Sequence, residues 1–398
     1  MKKAVILSAL IFSSLTFSAC GGSSSPPPTE TPAAPVSSIT KRVFLLNQFS
    51  GKIQIVDAAT DTGSGFLLPS DFNTFGTAQF LVSAGSRTLI FDSASNSIYG
   101  ITHSTETITV ALGLGGATES VALSQDGNTA YVAIPSLSRI AVVDLANNKL
   151  LDPINGVPGV RRLVATKNGA KLLAFTNDVN TMIVINTADK TGAAAPIGGF
   201  DRPYTAVISA DDTKAFILSC GAECGGTAAR VTVLDLATNA VGASVAVGGA
   251  TVGLLDGTNL YVAGSPAVST STTNGGTFNV VNVTNSAALS ASANIAISDG
   301  LHHAIVPVGG GKFYIGATRC TIINSGGVNK GCLSIVTGST GSVREARGEV
   351  TSIAAIKNRT VAYVTQGGDL DIYDTTTDTL QAKQILTTGR VVDAKEVD

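Results

Sequence analysis

Residues 128–150 read NTAYVAIPSLSRIAVVDLANNKL. Two short apolar runs flank Pro135, Ser136, Leu137 and Ser138, and the second run stops at Asp144. The same sentence returns as KLLAFTNDVNTMIVINT at 171–187 and as TVAYVTQGGDLDIYDTT at 360–376. Runs of Val, Ile and Tyr closed by turn-forming residues are strand signals. The first run of each copy centres on Phe44, Leu89, Tyr131, Leu173, Phe216, Tyr261, Tyr314 and Tyr363, spaced 42 to 53 residues apart. A period of that size, with room for about four strands per copy, marks a propeller blade. The reading is an all-β chain forming a β-propeller. Eight blades are preferred, and seven remain if the sixth or seventh copy is miscounted.

The second run of each copy ends on a short polar residue: Asp57, Thr102, Asp144, Asn186, Asp235, Asn282, Thr337 or Asp374. Such side chains bond their own backbone two residues on, so this position closes the hairpin between the third and fourth strands. Ahead of each first run lies another strand and turn, as in SVALSQDGNTAYV at 120–132. The first copy lacks that strand and the chain end has a surplus, GRVVDAKEV at 389–397. The C-terminal segment is therefore expected to supply the innermost strand of the first blade, leaving no open sheet edge.

Composition agrees. The chain is 44% hydrophobic and 14% charged over 398 residues, enough for a large core and too apolar for disorder. With 43 glycines, few aromatics and no sustained 3.6-residue period, it favours strands and turns. The net charge is −2, with no basic run, so nucleic acid is not an expected partner. No cofactor motif stands out. VGGGKF at 308–313 lacks the spacing and the Ser/Thr of a phosphate loop and falls where other copies have a hairpin turn.

The copies at 128–150 and 42–62, RVFLLNQFSGKIQIVDAATDT, resemble the YVTN-type β-propeller repeat: Tyr-Val-x-Asn, a short gap, then Val-Ile-Asp. The resemblance spans about residues 41–397 and implies a blade fold, with little said about activity. The N-terminus, MKKAVILSALIFSSLTFSAC, has the basic start and short apolar stretch of a signal peptide. Its FSAC resembles the lipobox of bacterial lipoproteins, with Phe17 where that pattern prefers Leu. The resemblance implies a leader over 1–19 and acylation of Cys20, with palmitate among the expected chains. The Gly/Ser/Pro-rich residues 20–40 form a tether and 41–398 the propeller. It places the chain on a membrane of the bacterial cell envelope: the outer membrane or the periplasmic face, or the cell surface. The alternative is ordinary secretion with Cys20 a spare thiol.

From the first-run centre to the turn residue, the first four copies take 13 residues, the next three 19, 21 and 23, and the last 11. Three adjacent blades thus carry enlarged loops on one face, which suits a binding surface for a protein or glycan; the plain alternative is tolerated drift. Cys220, Cys224, Cys320 and Cys332 fall in these loops. Local pairs 220–224 and 320–332 are the expected disulfides. A zinc half-site at Cys220 and Cys224 is the rival, without a completing second pair. No metal site is expected. His302 and His303 are adjacent in a strand and point to opposite faces.

Registering the copies on the turn puts Thr77, Glu119, Arg161, Tyr204, His302 and Thr351 at one level near the channel mouth. Glu119, Arg161, Tyr204 and His302 are candidates for holding an anionic or polar ligand, although channel mouths collect polar residues in any case. Two functions follow. One is a lipid-anchored binding or scaffold protein acting through its loop face. The other is a lactonase-like hydrolase with Glu119, Arg161 and His302 in acid–base and anion-holding roles.

Overall fold

Every strand that carries a first apolar run is hydrophobic on both sides, and the packing shows the reason. In Arg42–Asn47, Val43 and Leu45 join a cluster with Tyr363 and Ile372, while Phe44 and Leu46 join another with Ile90 and Ile101. Successive strand residues point to opposite faces, so one strand fills two different seams. Eight such clusters are present among the described residues, each shared by two neighbouring sheets. A computed structural model of the protein describes residues 37–47, 52–68, 78–92, 96–176, 178–189, 195–266, 275–387 and 389–398. The expected leader, Cys20, most of the tether and Thr77 lie outside the described residues.

The sheets are eight antiparallel blades, numbered here in chain order. Their innermost strands are Val391–Glu396, Ala78–Ala84, Ser120–Leu123, Arg162–Ala165, Pro203–Ile208, Val252–Asp256, Leu301–Pro307 and Val350–Ala355. Each pairs within its blade on one side only, so its other edge faces the axis. Blade 4 has three described strands, and a single bridge between Met182 and Ile197 stands where a fourth would run. Blade 7 exceeds the expectation: its long loop is itself a hairpin, Ile323–Ser325 against Val328–Thr337. The described helical segments are two short 3-10 turns, and none is long and apolar enough to cross a membrane.

The ring closes as the surplus strand implied. Val391–Glu396 pairs antiparallel with Arg42–Asn47, matching Phe44 to Lys395 and Leu45 to Ala394. The Ser352 hydroxyl of blade 8 meets the Ala394 carbonyl and amide at 3.1 and 3.2 Å. Arg42 clamps both chain ends: its amide donates to Asp398 Oδ2 at 2.6 Å and its Nη1 to Glu106 of blade 2 at 3.0 Å. Glu106 also accepts from the amide and hydroxyl of Ser37 at 2.8 and 2.5 Å, so the folded body begins ahead of residue 41.

The turn residues act as their chemistry implied. Asp57, Asp144, Asn186, Asp235, Asn282 and Asp374 each accept a backbone N–H from two or three residues on, at 2.7 to 3.2 Å. Four residues beyond the turn residue, Asp61, Glu106, Asn148, Asn239 and Asp378 sit in the left-handed region. Asp and Asn tolerate that region better than most residues. The position also works across the seam. Tyr363 of blade 8 donates to Asp61 of blade 1 at 2.6 Å, and Tyr314 of blade 7 donates to Asp378 of blade 8 at 3.0 Å. At these two seams the tyrosine is thus a core residue whose hydroxyl ties one blade to the next blade's turn. In VGGGKF, Gly309, Gly310 and Gly311 all have positive φ, and the Lys312 amide donates to the Gly309 carbonyl at 3.1 Å. The segment is a hairpin turn.

Asp61 is buried beside Arg359, whose Nη2 donates at 2.8 Å. Burial alone would raise its pKa, but the bonds from Arg359 and Tyr363 outweigh it and hold the carboxyl below its ordinary value. A depressed carboxylate stabilises the fold above its unfolded pKa, and that stability is lost as pH falls through the folded value. Tyr363→Phe should cost about 2 kcal/mol in urea unfolding at pH 7, and less at an acid pH below the depressed folded value, once Asp61 is protonated. An equal loss at both pH values would contradict this reading of the seam.

Candidate functional site

The enlarged loops of blades 5 and 7, and the described ends of the blade 6 loop, whose residues 267–274 lie outside the described residues, are on the face where the innermost strands begin, and they bond to those starts. In blade 5, Cys220 and Gly221 donate their amides to the Arg202 and Asp201 carbonyls at 3.1 and 3.2 Å. The Asp201 carboxylate accepts the amides of Thr227 and Ala228 at 3.0 and 2.8 Å. Although burial opposes it, these bonds and the Thr227 hydroxyl hold the Asp201 pKa low. Both expected disulfides are formed, Cys220–Cys224 and Cys320–Cys332, with Cα separations of 5.7 and 5.4 Å.

The loops are also linked to one another. Glu223, inside the Cys220–Cys224 loop, accepts the Ser265 amide of blade 6 at 2.8 Å. The Ser265 hydroxyl donates to the Gly300 carbonyl at the start of blade 7 at 2.9 Å. Asp299 accepts the Thr321 amide at 2.6 Å, and the Arg319 amide donates to Glu349 before blade 8 at 2.8 Å. Between them lies a pocket of about 270 Å³ lined by Glu223, Ser265, Asp299, Leu301, Arg319 and Thr321. Burial raises the Glu223 carboxyl to about 7, only partly offset by the Ser265 amide. It is a carboxyl that exchanges its proton near neutral pH.

A second pocket, of about 320 Å³, opens at the starts of the innermost strands of blades 4 to 7. Arg162, Tyr204, Thr205, Thr251 and His303 supply its polar wall, and Ala206, Val207, Val252 and Leu301 its apolar one. The Arg162 guanidinium lies 3.4 Å above the Tyr204 ring, and its Nη2 donates to the Tyr204 hydroxyl. Desolvation lowers the Arg162 pKa and raises that of Tyr204. His303 bonds the Val350 carbonyl of blade 8 through Nε2 at 2.7 Å, so Nε2 carries the proton and Nδ1 is left as an acceptor.

The residues singled out from sequence divide. Tyr204 reaches the channel pocket. Arg161 and Glu119 form an ion pair with each other at 2.7 Å, both side chains more than 40% exposed. His302 borders the pocket but is 1% exposed, its Cε1 only 2.9 Å from where a Cβ on Gly276 of blade 6 would stand. The Ser298 and Gly300 backbone lies near that ring, but no hydrogen bond of good geometry reaches either nitrogen. Desolvation pushes its pKa down to about 4, so it is neutral at pH 7. The two adjacent histidines do turn toward opposite blades. Thr351 is not among the pocket's lining residues. No group of three His, Cys, Asp or Glu able to hold a metal ion occurs among the described residues.

No protein-family model and no curated protein matches the chain. Solved structures match as folds. The dihydro-heme d1 dehydrogenase NirN, in complex with DHE, covers 93% of this chain and 78% of its own, at 13% identity and a TM-score of 0.67. Kuenenia stuttgartiensis hydrazine synthase covers 81% and 98%, at 14% identity and 0.55. The Myceliophteria thermophila Cps50 (Swd1) β-propeller domain covers 76% and 98%, at 12% identity and 0.53. At these identities the likeness shows the propeller fold alone.

A carboxyl whose folded pKa stands above its unfolded value weakens the fold as pH rises between the two, because unfolding then releases a proton. Glu223 should therefore contribute a fall in stability between pH 4.5 and about 7, at most about 1.4 kcal/mol per pH unit. Urea titrations of the wild type and Glu223→Gln across this range check it: the variant should lose that part of the slope. Identical slopes would contradict the assignment.

Proposed function

We propose that the chain is a lipid-anchored binding protein of the bacterial cell envelope, which receives a protein or glycan on the loop face of blades 5 to 7. One observation carries the reading: described residues of three enlarged, adjacent loops, two of them closed by disulfides, line one pocket, with Glu223 bonded to Ser265 and both Ser265 and Thr321 bonded to the 299–300 segment. Drift in loop length does not require that neighbouring insertions be ordered by one another. The propeller suits binding in general, since a rigid ring can present variable loops. Both disulfides fit an oxidising compartment. The resemblance of FSAC to a lipobox supports acylation of Cys20, and the Gly/Ser/Pro-rich segment after it supports a tether. The resemblance to the YVTN-type repeat supports the blade assignment without adding an activity. The lactonase-like reading has less support: Glu119 and Arg161 pair with each other at an exposed position, and the His302 side chain is buried against blade 6.

The test joins address and face. Cells producing the full chain should hold it in the membrane fraction, and Cys20→Ser should move it to the soluble envelope fraction. Affinity capture from native envelopes should recover a reproducible partner that a Cys224→Ser, Cys332→Ser double variant loses while keeping its β-sheet circular dichroism. Recovery of the same partner by the folded double variant, or of none by the wild type, would count against the loop face.

A further inference from the structure

Beneath the loops, the channel pocket has an electrostatic imbalance that the fold does not explain. Arg162 stays charged when desolvated, and it makes no ion pair among the described residues. Glu119, the acid that acts on it from a distance, is already held by Arg161 at 2.7 Å. Its partner is instead the neutral Tyr204, below the guanidinium plane and bonded through the hydroxyl. Nη1 is buried without a hydrogen-bond partner. A largely buried cation with no counter-charge is costly in a fold. Every other polar side chain on this wall is neutral or titrates as a base: Tyr204, Thr205, Thr251 and the histidines. No carboxylate lines the pocket.

We infer that the channel pocket of blades 4 to 7 binds a small organic carboxylate, its head on Arg162 and its body against Ala206, Val207, Val252 and Leu301. A planar guanidinium matches a carboxylate in charge and shape. There is one fixed cation here, and a second Arg or Lys is absent from the lining, so a singly charged head fits better than a phosphate dianion. The apolar half of the wall calls for an organic body rather than a bare ion. At about 320 Å³ the space suits a ligand at the small end of the usual range. Thr205 offers a hydroxyl, and the unprotonated Nδ1 of His303 offers an acceptor, to any hydroxyl that the body carries.

The inference goes beyond the loop-face reading, since it concerns a separate pocket with its own ligand class. Its test reads the pocket directly. Thermal unfolding and titration calorimetry of the full chain at pH 7 use butyrate, benzoate and gluconate at about 10 mM, with benzamide and inorganic phosphate as controls. At least one carboxylate should bind and raise the melting temperature, benzamide should not, and phosphate should bind more weakly. Arg162→Gln should weaken the effective carboxylate by about tenfold or more, and Arg162→Lys by less. Should Arg162→Gln fail to fold, the benzoate–benzamide contrast on the wild type decides alone. No shift with any of the three carboxylates, an equal shift with benzamide, or unchanged affinity in a folded Arg162→Gln would overturn the site. A capture experiment that succeeds while these fail leaves the loop face standing and removes this pocket.

Discussion

The pairing of Val391–Glu396 with Arg42–Asn47 is the constraint on which the other contacts depend. Each blade is apolar on both faces, so each needs two neighbours, and a linear row would leave two faces bare. Lending the last strand to the first blade removes both bare faces at once. It also removes two unpaired sheet edges, which are templates for aggregation. Arg42 adds a polar lock at this point, since one guanidinium reaches both Asp398 and Glu106.

Two seams explain letters of the repeat. Tyr314 and Tyr363, in the second strands of blades 7 and 8, fill the core and reach the next blade with their hydroxyls, where Asp378 and Asp61, in a left-handed turn conformation, receive them. Packing and hydrogen bonding therefore fix the same blade-to-blade geometry. Such a frame holds its innermost strands rigidly, and the loops at their starts can vary without loosening it. Blades 5 to 7 use that freedom, and the pockets of blades 4 to 7 lie where it is used.

The parts of this arrangement that follow a period were legible in the sequence. Blade number, the closing strand, the turn residues and both disulfides all rest on spacing or on local side-chain chemistry. What was not legible depends on partners far apart in the chain. Asp61 and Asp378 recur four residues after their turn residues, a regularity present in the sequence but without meaning until Tyr363 and Tyr314 are seen across the seam. Alignment chose Arg161, which precedes the strand and turns to Glu119, whereas the next residue, Arg162, turns to Tyr204. Glu223 stood between two cysteines in view, yet its contact with the Ser265 amide of blade 6 is one that no local reading supplies.

The claim of a closed ring is tested most directly by amide hydrogen exchange on the full chain, read for the segment 391–396. If this strand is integral to blade 1, its paired amides should exchange only with global unfolding, at the same rate as those of Phe44 and Leu46. Fast exchange across 391–396 while the remaining blades stay protected would show the tail to be an ornament, and the ring would have to close in another way.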